Sequence, residues 1–232
     1  MTARTEAINL PSASVAGKLY DNTGNRALIN CLPPLGGYNV LDLGCGAGAN
    51  AAAMTDAGAN VFGITLSFSE AILAANRMRA VVVADLSRSI PFFQSTIFDL
   101  VVLSHILEHL ADPVALLKEV RSILAPRGAV AVAVPSVTHY SVRFRLLRGH
   151  WSYTDTGILD WTHLRFFSKP GILRVFDLAG YEVVREGHEA SFLLWKLRRL
   201  FPKSAVNAIN HFFAKLSPEF FATQFVFLLK PR

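Results

Sequence analysis

The chain has 232 residues, 52% of them hydrophobic and 17% charged, which is enough for one well-buried domain and too apolar for a disordered chain. Two cysteines exclude a disulfide-stapled scaffold and fit a reducing compartment, so a cytoplasmic location is expected. The formal charge of +6 is unevenly placed: residues 1–190 carry 16 Lys/Arg against 16 Asp/Glu, and residues 191–232 carry seven against one, which argues against nucleic acid as the partner of the main body.

Residues 1–10 contain Arg4 and Glu6 but no apolar core before a small-residue cleavage site, so no export signal is expected. Apolar runs are broken well short of the ~18 residues a membrane span needs. From Asn39 onward, strand-like runs at about 39–43, 60–65, 80–84, 98–103 and 129–134 alternate with helix-like segments at 49–57, 69–79 and 113–124. That alternation predicts a parallel sheet covered by helices. The third helix is the clearest, with Val114, Leu117, Val120 and Leu124 at helical spacing, Asp112 as cap and Pro113 in the first turn. Residues 136–168 are rich in aromatics, Arg and Gly without a period, and are read as an inserted lid. A helix at 170–179 follows, stopped by Gly180, then a strand from Tyr181 to about Val184. The segment from about 191 to 217 is read as a basic, amphipathic pair of helices inserted before a last strand at 225–229. Three readings of this tail stay open: contact with an anionic membrane surface through 192–216, a cap over the site, or a homodimer face. The whole chain, 1–232, is taken as a single domain.

The most informative stretch is Val40-Leu41-Asp42-Leu43-Gly44-Cys45-Gly46-Ala47-Gly48, a buried strand entering a glycine-rich turn ahead of a helix. Glycines there let the backbone turn sharply and let a ligand lie on bare peptide. Gly44, Gly46 and Ala49 also satisfy the loose dinucleotide spacing, so the glycines alone do not separate a nicotinamide cofactor from another nucleotide. Asp42 can hold the turn or receive hydrogen bonds from a bound cation.

An Asp at the strand end followed by Leu-Gly-Cys-Gly resembles motif I of class I S-adenosylmethionine-dependent methyltransferases. The resemblance runs over roughly residues 18–190. Ala59 to Ser67 looks like the second strand of that family, Val82-Val83-Ala84-Asp85-Leu86 like the third strand and the Asp near the adenine, and Phe98 to Leu110 like motif IV. Leu-Glu-His-Leu-Ala-Asp-Pro at 107–113 and Asp160-Trp161-Thr162-His163-Leu164-Arg165-Phe166-Phe167 resemble the small-molecule branch near the ubiquinone-biosynthesis and methionine-biosynthesis-W types. The resemblance implies a Rossmann-like α/β fold: a mostly parallel seven-stranded sheet, the last strand antiparallel, with helical cap insertions. It implies S-adenosyl-L-methionine as cofactor and a small-molecule hydroxyl, such as one on a sugar or glycan precursor, as acceptor. Asp42, Gly44, Cys45, Gly46, Gly48, Thr65, Leu66, Asp85, Leu86 and Ser104 would line the cofactor, and His105, His109 and His163 would face the acceptor as catalytic residues.

One position departs from the family. The acidic residue that usually ends the second strand and binds both ribose hydroxyls is here Thr65, a neutral group with Ser67 and Ser69 as candidate substitutes. That departure is the best support for a rival reading, a non-catalytic interaction protein on the same fold; a nicotinamide-dependent oxidoreductase is the other rival.

His105, Glu108 and His109 stand at i, i+3 and i+4, a spacing that resembles the metal-binding Glu-x-x-Glu-His of small-RNA 2′-O-methyltransferases with His105 in place of the first Glu. Polar clusters of this kind are common without any ion, and no metal is expected. His109 or His163 could serve as general base, although methyl transfer needs chiefly a linear approach of nucleophile, methyl and sulfur. Arg143, Arg145, Arg148 and Arg165 in the lid suit either an acidic acceptor or a solvated helix face. Tyr20, Trp151 and Tyr153 are read as packing residues and Cys45 as a small packed residue of the turn.

Overall fold

The computed structural model describes residues 24–91, 98–190, 202, 204–205 and 217–232. Seven strands form one sheet in the order β3-β2-β1-β4-β5-β7-β6. They are β1 (Asn39–Leu43), β2 (Asn60–Thr65), β3 (Ala80–Val83), β4 (Phe98–Ser104), β5 (Leu124–Pro135), β6 (Tyr181–Ala190) and β7 (Ala222–Pro231). β7 runs antiparallel to both of its neighbours, and the other pairings are parallel. The expected architecture, with its antiparallel last strand, is the one observed.

Period-two alternation sorts each strand between two cores. Leu41, Leu43, Val101, Leu103, Val130, Val132 and Val134 face the layer built by α4 (Pro113–Ile123) and α6 (Lys169–Leu178). Val40, Leu100, Val102, Ala129, Ala131 and Ala133 face α1 (Arg26–Cys31) and α2 (Ala49–Asp56). The two inward faces of β5 are thus a valine face and an alanine face. The helix starts are chemically explicit: Asn25, Ser67, Asp112 and Ser168 each accept a backbone N–H of the following turn.

Several boundaries differ from the sequence reading. α3 (Phe68–Ala74) is shorter than the predicted helix at 69–79, because the chain turns at 75–79 to enter β3. β6 extends six residues beyond Val184 through Arg185-Glu186-Gly187-His188-Glu189-Ala190, a polar run that holds as a strand because it is the sheet edge and pairs with β7 throughout. The lid at 136–168 contains α5 (Tyr140–Leu147), capped by His139. A short helix, α7 (Pro218–Phe221), precedes β7. The predicted helical pair at 192–216 lies outside the described residues. Among the described residues no helix is long and apolar enough to cross a membrane.

Candidate functional site

The strand order reverses its direction of growth at β1, whose neighbours are β2 and β4, so the C-terminal end of β1 opens onto the crevice where ligands bind in sheets of this kind. The turn after β1 is pinned there by two backbone donors, Gly44 N and Cys45 N, which share the Ile64 carbonyl at 2.8 and 2.9 Å. Gly44 sits at φ +76°, and a Cβ on it would lie 1.9 Å from Ile106 Cδ1, so the loop after β4 rests directly on this glycine. Gly46 sits at φ +52°, and the nearest group to a Cβ there would be Glu70 Oε1 at 3.7 Å. Gly48, also left-handed, caps α2.

Beneath the turn lies Asp42, fully buried, with neither carboxylate oxygen hydrogen-bonded. Desolvation alone pushes its carboxyl up to about 7. Cys45 is buried beside it, and burial, reinforced by the Asp42 and Glu70 charges, holds its thiol well above the ordinary range, which agrees with a packing role.

At the end of β2, Thr65 Oγ1 donates to Glu70 Oε2 at 2.8 Å, and both residues are buried. Sequence reasoning missed Glu70. The serines it offered instead are otherwise engaged: Ser67 caps α3 by accepting Glu70 N at 3.4 Å, and its hydroxyl meets Ser69 Oγ at 2.8 Å. The signal was present as Ser67-x-x-Glu70, a capping-box pattern that places Glu70 in the first helical turn. In the fold Ser67 N donates to Thr65 Oγ1 at 3.4 Å, and the Glu70 carboxylate meets the Thr65 hydroxyl beside the glycine turn.

Asp85 and Leu86, half-buried, follow β3. Hydrogen bonds from Ser87 hold the Asp85 carboxyl below the usual range. Leu86 helps wall a cavity of about 140 Å³ with Leu110, Ala111 and Leu116. Leu66 is half exposed next to Thr65, and Ser104 ends β4 with Asn25 Nδ2 at 3.5 Å from its hydroxyl.

The residues after β4 form the other wall. His105 is the one described non-glycine residue with positive φ, at 58°. Its Nδ1 lies 3.2 Å from Glu108 Oε1 and its Nε2 3.0 Å from Gln224 Oε1. The Gln224 amide nitrogen donates to Asn25 Oδ1 and Glu189 Oε2, which orients Oε1 toward the imidazole. Nδ1 faces an acceptor, whereas Nε2 faces both the Gln224 oxygen and, at 3.4 Å, the Asn25 amide nitrogen, a donor. Burial, the largest single influence, lowers its pKa; Glu108, Gln224 and Glu189 together outweigh it, so the net shift is upward. Each ring nitrogen of His105 thus already has a protein partner.

His109 and His163 differ in this respect. His109 Nδ1 lies 3.3 Å from the Thr162 carbonyl, and His163 Nδ1 lies 3.1 Å from the Ile158 carbonyl. A carbonyl only accepts, so each ring donates from Nδ1 and keeps its lone pair on Nε2. Burial lowers the His163 pKa, keeping the ring neutral. The two rings stand edge to face at 4.8 Å. An Asx turn at Asp160, which accepts both Thr162 N and Thr162 Oγ1, presents His163. Leu164 N and Arg165 N both donate to the Glu108 carbonyl, at 2.9 and 3.0 Å, strapping the lid to the loop after β4.

Trp151, Tyr153 and Phe166 form an aromatic group next to His163, with Trp151 and Phe166 centroids 5.0 Å apart. Trp151 and Tyr153, expected to pack the lid, remain 39% and 55% exposed. Three of the four lid arginines donate to backbone: Arg143 to the Thr138 carbonyl, Arg148 to Phe144, and Arg165 to Leu110 and Ala111. Tyr20 lies outside the described residues.

Comparison with known proteins agrees with this geometry. A family model described as a methyltransferase domain matches residues 16–186. The ubiquinone biosynthesis O-methyltransferase of Actinobacillus pleuropneumoniae serotype 7 is 30% identical over 137 residues, covering 50% of this chain and 58% of that protein. The chain thus spans under two thirds of that relative. Among solved structures, an S-adenosylmethionine-dependent methyltransferase from Mesorhizobium loti superimposes with a TM-score of 0.61 at 18% identity, covering 89% of this chain and 96% of that one. The [4+2]-cyclase SpnF superimposes with a TM-score of 0.58 at 18% identity over 88% and 79% of the two chains; at such identities the likeness concerns the fold alone. With the family model spanning most of the chain, the glycine turn after β1 and the 3-2-1-4-5-7-6 sheet all in agreement, this chain belongs to the methyltransferase-domain family.

Proposed function

We propose that the chain is an S-adenosylmethionine-dependent O-methyltransferase acting on a hydroxyl of a small molecule. The observation that carries the reading is the Asp42 carboxylate, buried and without a hydrogen-bond partner directly under the glycine turn. A buried carboxylate in that state is costly unless something cationic reaches it, and a methionyl amino group arriving over Gly44 and Gly46 supplies such a partner. Glu70 replaces the missing acid at the end of β2 as acceptor for the ribose diol, with Thr65 orienting it through the 2.8 Å hydrogen bond. Asp85 and Leu86 take the adenine side, one polar and one apolar.

When bound, the cofactor supplies a methyl group on a positively charged sulfur. What the protein does is hold the acceptor oxygen in line with that methyl and exclude water, the main requirements of such a displacement. His109 and His163 present lone pairs on the acceptor side, where the hydroxyl proton departs. The half-exposed Trp151, Tyr153 and Phe166 group offers a surface for the face of a ring, which favours a cyclic hydroxylated acceptor such as a sugar or glycan precursor. The test is incubation with methyl-labelled S-adenosylmethionine and pooled small-molecule acceptors. Label is expected in a base-stable methyl ether with the native chain and not with Gly46→Arg, whose side chain fills the cofactor space. Label only in protein or nucleic acid would contradict the reading.

A further inference from the structure

We propose that the chain self-associates through β3, which pairs antiparallel with β3 of a second copy about a two-fold axis at Val82. The two edges of the sheet are built differently. β6 is blunted: its outer half carries Arg185, Glu186, His188 and Glu189, and its register with β7 shifts twice. Charges and bulges of this kind keep an edge from pairing with another chain. β3 pairs with β2 alone among the described residues, and its four residues, Ala80–Val83, carry no charge, proline or bulge. Val82 and Val83 are 40% and 44% exposed, and the described part of the crossover to β4, residues 84–91, has no helix to cover them.

The sequence around this edge selects a second copy as its occupant. Arg79-Ala80-Val81-Val82-Val83-Ala84-Asp85 reads the same in both directions about Val82, except that a base at one end answers an acid at the other. Laid antiparallel on itself in that register, the strand sets Val81 against the partner's Val83 and Arg79 against the partner's Asp85, and each pair occurs twice by symmetry. Backbone parity agrees. Ala84 N donates to the Thr65 carbonyl of β2, and backbone direction alternates along a strand, so Val82 also turns toward β2 while the N–H and C=O of Val81 and Val83 point to the open edge. These are the groups that the register sets opposite each other. A slip of one residue would face them with groups already bonded to β2.

A two-fold axis between antiparallel strands stands perpendicular to the sheet, so α3 of each copy, which lies over β2 and β3, falls on the same face of the joined sheet. Phe68 and Ile72, one helical turn apart on α3, are 73% and 56% exposed. Burying them at the joint supplies apolar area that a four-residue strand alone lacks.

The test is sedimentation velocity of the full chain over a concentration series, with amide exchange measured at low and high concentration. A monomer–dimer equilibrium is expected, with the Val81 and Val83 amides slowed roughly tenfold or more as the dimer fills. Val82→Lys, which sets two like charges across the axis, should weaken association roughly tenfold or more. Arg79→Asp and Asp85→Arg should each weaken it about tenfold, and the double variant should restore it. Glu186→Ala, at the β6 edge, should leave it unchanged; circular dichroism checks that each variant folds. A native chain that stays monomeric up to roughly 100 μM would overturn the proposal. So would a dimer indifferent to Val82→Lys or one that the charge exchange does not restore. Self-association does not depend on the proposed methyl transfer, and S-adenosylhomocysteine affinity of the Val82→Lys chain reports on that reading separately.

Discussion

At the scale of residues, two buried titratable groups oppose each other. Asp42 is raised to about 7, so between roughly pH 4 and 7 the folded state holds a proton the unfolded chain has released, and stability falls as pH rises through that window. His139 is lowered to about 4 by burial, so between about 4 and 6.5 the unfolded chain holds the extra proton and stability rises with pH. Each is worth on the order of 3 kcal/mol, and they nearly cancel below pH 6.5. Asp42→Asn should therefore give a chain whose stability climbs between pH 4 and 6.5 and exceeds that of the native chain at pH 8, as urea melts would register. A native chain whose stability already climbs steeply there would contradict the buried neutral state of Asp42. In the same variant S-adenosylhomocysteine should bind more weakly at pH 8 and lose its tightening between pH 6 and 8.

Glu70 makes a sharper case. Loss of a charge-assisted hydrogen bond costs about 1.5–3 kcal/mol, so Glu70→Gln should weaken S-adenosylhomocysteine binding roughly ten- to a hundredfold in calorimetry. Thr65→Asp in a Glu70→Ala background should recover most of that loss by returning the acid to the strand end. Failure of the double variant, with its fold intact, would mean that Glu70 does not face the ribose. The sequence made the gap at Thr65 legible but not its filling, because a Glu three residues after a capping Ser reads as part of a helix start. Only the packing of α3 against β2 brings its carboxylate to the threonine. The same holds for His105: its type and position were legible, whereas its double engagement depends on Gln224, 119 residues away.

At the scale of elements, the core strands and α4 could be read from the chain because each carries one period and one purpose. The extended β6 could not, since its charged second half is a strand only through its partner β7. α5 was hidden because only Tyr140 and Val142 of its eight residues are buried, too few to make a stripe. The lid is therefore half helix and half strap, and the strap is what matters for the site. Arg165 donates to the Leu110 and Ala111 carbonyls just ahead of α4, tying the segment that carries His163 to the loop after β4. Arg165→Ala should speed amide exchange across 160–167 at least tenfold while leaving α4 and β4 protected. Uniform acceleration would instead mark Arg165 as part of the global core, and no acceleration would show the backbone bonds of Leu164 and Arg165 to be sufficient by themselves.

At the scale of the whole molecule, the sheet order sets the chemistry's location. β1 lies between β2 and β4, so the glycine turn, the Thr65–Glu70 pair and the loop of His105 to His109 converge on one edge although they are separated by up to 65 residues. Charge is divided on the same scale, since residues 191–232 carry the whole excess of six positive charges. If the tail meets an anionic surface, the intact chain should co-sediment with phosphatidylserine vesicles at low salt and a chain lacking 192–216 should not. Equal sedimentation of the two would leave the tail as a cap or a contact between copies.

A crevice above Asp42 that takes the methyl-donor cofactor must prefer it to a dinucleotide. The most direct measurement is thermal unfolding of the full chain with S-adenosylhomocysteine and, separately, with NADH. A ligand at 100 times its dissociation constant stabilises the native state by about 2.7 kcal/mol. For a chain of this size that is a rise of roughly 5–10 °C in Tm. The expected result is such a rise with S-adenosylhomocysteine, abolished in Gly46→Arg, and none with NADH; a rise with NADH alone, or with neither, would exclude a methyl-donor site above Asp42.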